Sequence, residues 1–256
     1  MPSFKPFKFA VLSTLASALW GTGPAALAHT TIKEPAMEGS NSYNAIVISH
    51  GCAHPTTGKR LPVVAQSVVI PTVNPIVTGE NGNPTTLGDE FQIKDHTGAV
   101  SRLDSLANVV QLIQDKNVFS KMVEKTDANG NTIGYYAKKG KLDPTLYGLI
   151  PIRVSGITFN ADKCARSLKI KIAIADVCKM KFPPKDGTVD LWIPNATPKF
   201  PDGNIDGSSP NPLGGAPATL TINRQELPGS CGEGYDVTVW PSNEDVDANL
   251  PFPGWR

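Results

Sequence analysis

The chain contains few of the residues that most often carry out chemistry. Its 256 residues include four histidines, four cysteines, four methionines and four tryptophans. It has no G-x-S-x-G and no H-E-x-x-H, so it lacks the usual signals of α/β-hydrolases and zinc metalloproteases. It has no C-x-x-C pair and no histidine after His96, which argues against a structural zinc site and a blue-copper ligand set.

The chain also lacks an excess of charge of either sign. Its 24 basic and 23 acidic residues give a formal charge of +1. Such a balance provides no electrostatic footprint for nucleic acid or for an acidic membrane surface. Aromatic residues make up only 7% of the chain, and no exposed aromatic row of the kind that holds sugar rings is evident.

The first 28 residues predict a signal peptide. Lys5 and Lys8 precede an apolar run at 9–19 that is too short to span a bilayer, and Ala26-Leu27-Ala28 resembles a cleavage signal. We therefore expect an exported protein, periplasmic, secreted or on the outer cell surface, with a single domain at 29–256. No later stretch is apolar enough for a membrane helix, so we expect no transmembrane segment after the leader.

Short runs of β-branched residues separated by glycine, proline and asparagine dominate the mature chain. With 23 glycines and 23 prolines, this pattern predicts a mainly β protein, an antiparallel β-sandwich of immunoglobulin or cupredoxin type. The predicted strands lie at 45–48, 63–70, 150–154, 168–175, 188–193, 218–222 and 236–240.

The block at about 80–145 interrupts this pattern and reads as an insertion. Apolar residues three and four apart predict a short helix at 103–114. Residues 127–131 predict a hairpin turn whose second strand carries Tyr135 and Tyr136. The stretch 199–217, rich in proline and glycine, predicts a long loop.

The four cysteines are Cys52, Cys164, Cys178 and Cys231. An even number in an exported chain favours two disulfides, and the sequence leaves all three pairings open.

All four histidines, His29, His50, His54 and His96, are candidate metal ligands. His29 follows the cleavage signal, so processing would give it a free α-amine beside its imidazole. The amine and ring Nδ1 can then chelate one ion together, as in a histidine brace. His50 and His54 stand four apart across Gly51 and Cys52. Nitrogen ligands of this kind favour copper among the divalent metals.

Calcium is a weaker alternative. Residues 202–207 match the first half of an EF-hand loop, but Leu213 stands where the loop needs glutamate, and turn formation explains this stretch and the one at Asp127. Trp192 and Trp240 end strand-like runs, where a core or interface role is the simplest interpretation.

The N-terminal third resembles two copper-protein families. His29-Thr-Thr-Ile-Lys-Glu34, 43–52 (YNAIVISHGC) and 61–71 (LPVVAQSVVIP) are similar to the copper-repressible surface proteins of methanotrophs, the CorA and MopE family. This CorA is unrelated to the magnesium channel. The same segment resembles YcnI-type copper proteins, in which an N-terminal histidine opens a strand and His-Gly-Cys follows a second strand.

The resemblance implies an exported β-sandwich that binds copper through histidines. The first family adds an oxidised tryptophan, kynurenine, for which Trp192 and Trp240 are the candidates, although no Trp-x-His motif occurs here. The second implies glutamate and tryptophan partners for His29, and the sequence does not assign them. We expect a protein that captures or delivers copper without turnover; the alternatives are a histidine-brace monooxygenase and a metal-free surface or adhesion module.

Overall fold

The computed structural model describes residues 29–54, 56–95, 97–181, 183–185, 187–201 and 217–253. The predicted leader, His96, the calcium-like stretch at 202–207 and most of the predicted long loop lie outside these residues. Within the described residues, no helix is long and apolar enough to cross a membrane.

Strands make up most of the regular structure. The described residues include two short α-helices, α1 (Leu87–Glu90) and α2 (Asn243–Asn249), and 3-10 turns at Glu80–Gly82 and Gly229–Cys231. The strands in chain order are β1 (Thr31–Ile32), β2 (Ala36–Met37), β3 (Ser42–Ile48), β4 (Ala65–Val69), β5 (Ile76–Thr78), β6 (Phe91–Lys94), β7 (Val100–Arg102), β8 (Val110–Leu112), β9 (Phe119–Thr126), β10 (Thr132–Gly140), β11 (Gly148–Val154), β12 (Ile157–Phe159), β13 (Ala165–Val177), β14 (Val189–Trp192), β15 (Ala218–Asn223) and β16 (Tyr235–Trp240).

The strands form a mainly antiparallel, sandwich-like fold, as predicted. A four-stranded sheet has the order β1-β3-β11-β8, and a nine-stranded sheet has the path β2-β15-β13-β4-β10-β9 with β14, β16 and β5 attached. The third sheet is β12-β6-β7. Each of the seven predicted runs contains a strand, and two pairs, β13 with β16 and β15 with β2, are parallel.

The long strand β13 joins the two halves of the large sheet. Its residues 165–172 pair with β15 and β16, whereas its last residues, 173–177, pair with β4 and β14. Because side chains alternate along a strand, Ile172 and Ile174 face the main core between the sheets. Ala173 and Ala175 face a second cluster, to which Val246 of α2 contributes.

The block at 80–145 contributes strands to all three sheets. The hairpin prediction is confirmed: β9 pairs with β10, and Asp127 Oδ1 accepts the N–H groups of Asn129 and Asn131 in the turn. The helix predicted at 103–114 is wrong. Leu103 and Leu106 are buried in a loop, Asn108 has a φ of +63°, which no α-helix admits, and 110–112 form β8.

The four cysteines form two disulfides, Cys52–Cys178 and Cys164–Cys231. The first connects the segment after β3 to the residue after β13. The second connects the start of β13 to the turn before β16.

Candidate functional site

The candidate site lies at one end of the main core, where β1 and β3 of the four-stranded sheet meet β13 and β14 of the nine-stranded sheet. In the antiparallel pair of β1 with β3, Thr31 stands opposite Val47. Continuing this register puts His29 opposite Ser49, whose hydroxyl donates to His29 O at 3.3 Å. The chain therefore brings His29 beside the residue that precedes His50.

Both histidine rings lie against the same indole. The ring centroid of His29 is 4.9 Å from that of Trp192, at an interplanar angle of 90°. The ring of His50 is 6.2 Å from Trp192, at 71°. Trp192 is almost fully buried in β14. The fold thus gathers residues 29, 50 and 192 from distant parts of the sequence.

A buried carboxylate fixes this indole. Trp192 Nε1 donates to Asp176 Oδ2 at 2.7 Å, and the Thr30 hydroxyl donates to the same oxygen. Gln66 Nε2 donates to Asp176 Oδ1 at 2.7 Å, and Tyr135 OH donates to Gln66 Oε1 at 2.6 Å. This chain of polar side chains holds Trp192 and the residue next to His29 in one arrangement.

Burial sets the ionisation of two members of this network. It raises the pKa of Asp176, while the hydrogen bonds from Thr30, Gln66 and Trp192 and the nearby His50 favour the carboxylate and oppose the rise. Burial, with a contribution from the charge of Asp176, holds the pKa of Tyr135 well above its ordinary value. Tyr135 therefore acts in the network as a neutral hydrogen-bond donor.

The main chain of its own loop orients His50. Its Nδ1 lies 2.9 Å from Gly51 O, and because a carbonyl only accepts, Nδ1 carries the proton. In the neutral ring, the lone pair is then on Nε2, which is buried. Asp190 Oδ2 lies 3.7 Å from Nδ1. In the antiparallel pairing of β14 with β13, Asp190 stands opposite Asp176.

Gly51 is required by close packing. A Cβ at this position would lie 1.7 Å from Leu61 O, so a larger residue would push the His50 loop outward.

His29 Nδ1 is buried, and among the described residues it has no hydrogen-bond partner. Buried polar atoms are seldom left unsatisfied, so such a nitrogen calls for an explanation. Nδ1 is also the ring nitrogen that a histidine brace uses together with the α-amine.

The remaining sequence candidates have other surroundings. His54 Nδ1 accepts the Thr56 N–H at 3.3 Å in a surface turn. Trp240 lies under the ammonium of Lys171, 5.1 Å from the ring centroid. The two glutamates that follow His29 most closely in sequence also have other partners: Glu34 forms an exposed ion pair with Lys33, and Glu38 accepts the N–H groups of Phe159 and Gln225.

Among the described residues, no three histidine, cysteine, aspartate or glutamate side chains form a group suited to hold a metal ion. A brace differs from such a group, since it needs two side chains and one main-chain amine. Sequence reasoning missed Thr30, Gln66, Asp176 and Asp190. A signal exists for Asp176, which follows Ile172 and Ile174 on the inward face of β13, where an apolar residue is expected.

Comparison of the chain with protein-family models, with curated proteins and with solved structures finds no match.

Proposed function

We propose that the protein is an exported copper-binding protein that captures or delivers the ion through His29 and His50. One observation carries the proposal. His29 Nδ1 is buried without a hydrogen-bond partner among the described residues, and it belongs to a ring packed on the same indole as His50.

The proposed ligands are nitrogen atoms from two parts of the chain. Cleavage after Ala28 would give His29 a free amine, and the amine and Nδ1 would chelate the ion as one unit. His50 would contribute Nε2, because Gly51 O already holds its Nδ1–H. Three nitrogen ligands suit copper better than calcium or magnesium, which prefer oxygen.

The surroundings of the rings support this assignment. Trp192 is the tryptophan that contacts His29, in agreement with the tryptophan partner that the YcnI-type resemblance implies. Asp176 and Asp190 lie at the same end of the core and would compensate part of the charge of a cation. Oxidation of Trp192 to kynurenine, as in the CorA and MopE family, is an additional proposal that intact mass would test.

The test is a Cu(II) titration of the protein that begins at His29. We expect a 1:1 complex tighter than micromolar, with a large loss of affinity in His29→Ala and a smaller loss in His50→Ala. His54→Ala is the matched control and should bind as the wild type does. Affinity should fall as the pH falls through the imidazole range, because the ligands must lose their protons.

The proposal fails if the processed wild-type protein binds copper no tighter than micromolar. It also fails if His29→Ala and His54→Ala bind equally well. In either case, the metal-free surface module becomes the better interpretation.

A further inference from the structure

The disulfide Cys52–Cys178 lies inside the candidate site rather than at a distance from it. Cys52 is two residues after His50, and Cys178 is two residues after Asp176. The Cys52 N–H donates to Cys178 Sγ at 3.0 Å, and Cys52 Sγ lies 3.5 Å from Asp176 O. Both cysteines are buried. This bond therefore joins the loop of His50 to the strand that carries the central carboxylate.

Several other hydrogen bonds join parts of this loop to one another, and the Ser49 hydroxyl also donates to His29 O. Arg60 Nη1 donates to Gly51 O at 3.3 Å, Leu61 N–H donates to Cys52 O at 2.9 Å, and His54 N–H donates to Lys59 O at 2.9 Å. These bonds join residues 51–54 to residues 59–61 after β3. They hold the loop together, and the disulfide of Cys52 adds a covalent link to the end of β13.

We infer that the Cys52–Cys178 disulfide helps to assemble the copper site by fixing His50 beside Trp192, so that the site reaches its full affinity only in the oxidised chain. This inference rests on the proposed function and adds that oxidation of Cys52 and Cys178 regulates copper binding. Fixing a ligand before the metal arrives reduces the ordering cost of binding, as other supporting groups around metal ligands do.

The chemistry of this step requires an oxidant. The Cys52 and Cys178 thiols each lose one proton and one electron when the S–S bond forms, and the disulfide of a donor is reduced to two thiols by exchange. Disulfides of this kind form outside the reducing cytoplasm. Export would therefore contribute to the site in two ways: cleavage would expose the His29 amine, and oxidation would form this disulfide.

The second disulfide provides a matched control. Cys164–Cys231 connects β13 to the turn before β16, and its hydrogen bonds go to Lys163, Pro228, Gly234 and Tyr235, away from the candidate site. We would compare Cys52→Ser/Cys178→Ser with Cys164→Ser/Cys231→Ser. Serine is used because free thiols would themselves bind copper. Both variants are titrated with Cu(II) at 10 °C, and circular dichroism checks that each is folded.

We expect the first variant to bind copper about 10- to 100-fold more weakly, as when other supporting groups of metal sites are removed. The copper affinity of the control variant should stay within about threefold of that of the wild type, because the groups that hold His29 and His50 are unchanged in it. If both variants bind as the wild type does, or both lose affinity equally, the inference is wrong while the proposed function stands. If the wild type binds no copper, the proposed function fails and the inference fails with it.

A second variant decides the question if Cys52→Ser/Cys178→Ser does not fold. Insertion of two glycines between Gly51 and Cys52 leaves both disulfides and the sequence from His50 to Gly51 intact, but it separates the His50 ring from the disulfide that fixes its loop. This insertion should lower copper affinity about as much as removal of the Cys52–Cys178 disulfide does. Two glycines inserted between Asn129 and Gly130, in an exposed turn, are the control. Equal affinity in the two insertion variants would overturn the inference.

Discussion

Asp176 is an acidic side chain on the inward face of a central strand. The fold tolerates it because three side chains donate to its two oxygens, with Trp192 and Thr30 on one and Gln66 on the other. The donors come from β4, β14 and the residue just before β1. The carboxylate therefore sets the relative position of three separate parts of the site.

Asp176→Asn should lower the free energy of unfolding by about 1–3 kcal/mol, because an amide puts an N–H group toward one of the donors and leaves that donor unsatisfied. Copper affinity should also fall, since Trp192 and Thr30 adjoin His29. Urea unfolding and Cu(II) titration measure the two effects. Asp143→Asn removes an exposed carboxylate in a surface turn and should change neither. An unchanged Asp176→Asn protein would show that the network does not organise the site.

At the scale of single residues, the sequence pointed to part of the site. His29 was identifiable because it follows a cleavage signal, and His50 because it stands near a second histidine and a cysteine. The sequence could not decide which of Trp192 and Trp240 belongs to the candidate site, because both end β-rich runs. Only the pairing of β14 with β13 puts Trp192 next to Asp176, and sequence patterns do not specify strand pairing.

At the scale of elements, Lys125 connects three parts of the fold. Its ammonium, on β9, donates to Ser67 Oγ at 2.7 Å and Val68 O at 3.1 Å on β4, and to Asn249 O at 2.6 Å at the end of α2. It also lies 5.3 Å from the ring centroid of Tyr136. Burial lowers the pKa of Lys125 from 10.5 to about 7, although Asp245 favours its charged form.

This pKa predicts how stability depends on pH. Between pH 7 and 10.5 the unfolded chain binds a proton at Lys125 that the folded chain has released, so the contribution of this residue to the free energy of unfolding rises with pH. The rise is on the order of 4 kcal/mol across the window.

Lys125→Met should remove this rise, while Lys121→Met, which removes an exposed lysine of the same strand, should keep it. Urea unfolding from pH 6.5 to 10 measures the difference. Parallel profiles for the wild type and Lys125→Met would contradict the assignment.

Elements with strong local patterns, such as the β9–β10 hairpin, were predictable from the sequence. The helix predicted at 103–114 was wrong because a distant contact decides the conformation there. The spacing of Leu103, Leu106 and Val109 suits one face of a helix, but it also suits a loop whose turns bury every third residue. Asn108 explains the outcome: it adopts a positive φ and its Oδ1 accepts the Thr132 N–H, which connects the loop to β10. That partner lies 24 residues away, outside any local pattern.

At the scale of the whole molecule, two disulfides close long loops around β13. The entropy of loop closure predicts that removing Cys164–Cys231, which spans 67 residues, costs about 4 kcal/mol of stability. Removing Cys52–Cys178, which spans 126 residues, costs about 5 kcal/mol on the same basis. Urea unfolding of the two serine double variants should therefore show similar losses. A difference of several kcal/mol between them would mean that native contacts, rather than loop length, determine the contribution of each bond.

The proposed cleavage after Ala28 would affect the whole protein and the candidate site together. A Gly-Pro dipeptide added before His29 turns the α-amine into an amide and moves the free amine two residues away, behind a proline that has no N–H to offer, so the proposed chelate loses a ligand. At a free copper concentration of 100 times Kd, binding to the processed protein should stabilise it by about 2.7 kcal/mol, which is a rise in Tm of roughly 5–11 °C for a domain of this size. If the extension weakens binding a hundredfold, the gain falls to about 0.4 kcal/mol, and little thermal shift remains. Thermal unfolding with and without Cu(II) measures both values, and a Gly-Pro dipeptide added after Arg256 is the control. An equal copper-induced shift in the two extended proteins would show that the His29 amine is not a ligand, and His50 with the His29 ring would then have to hold the ion without a brace.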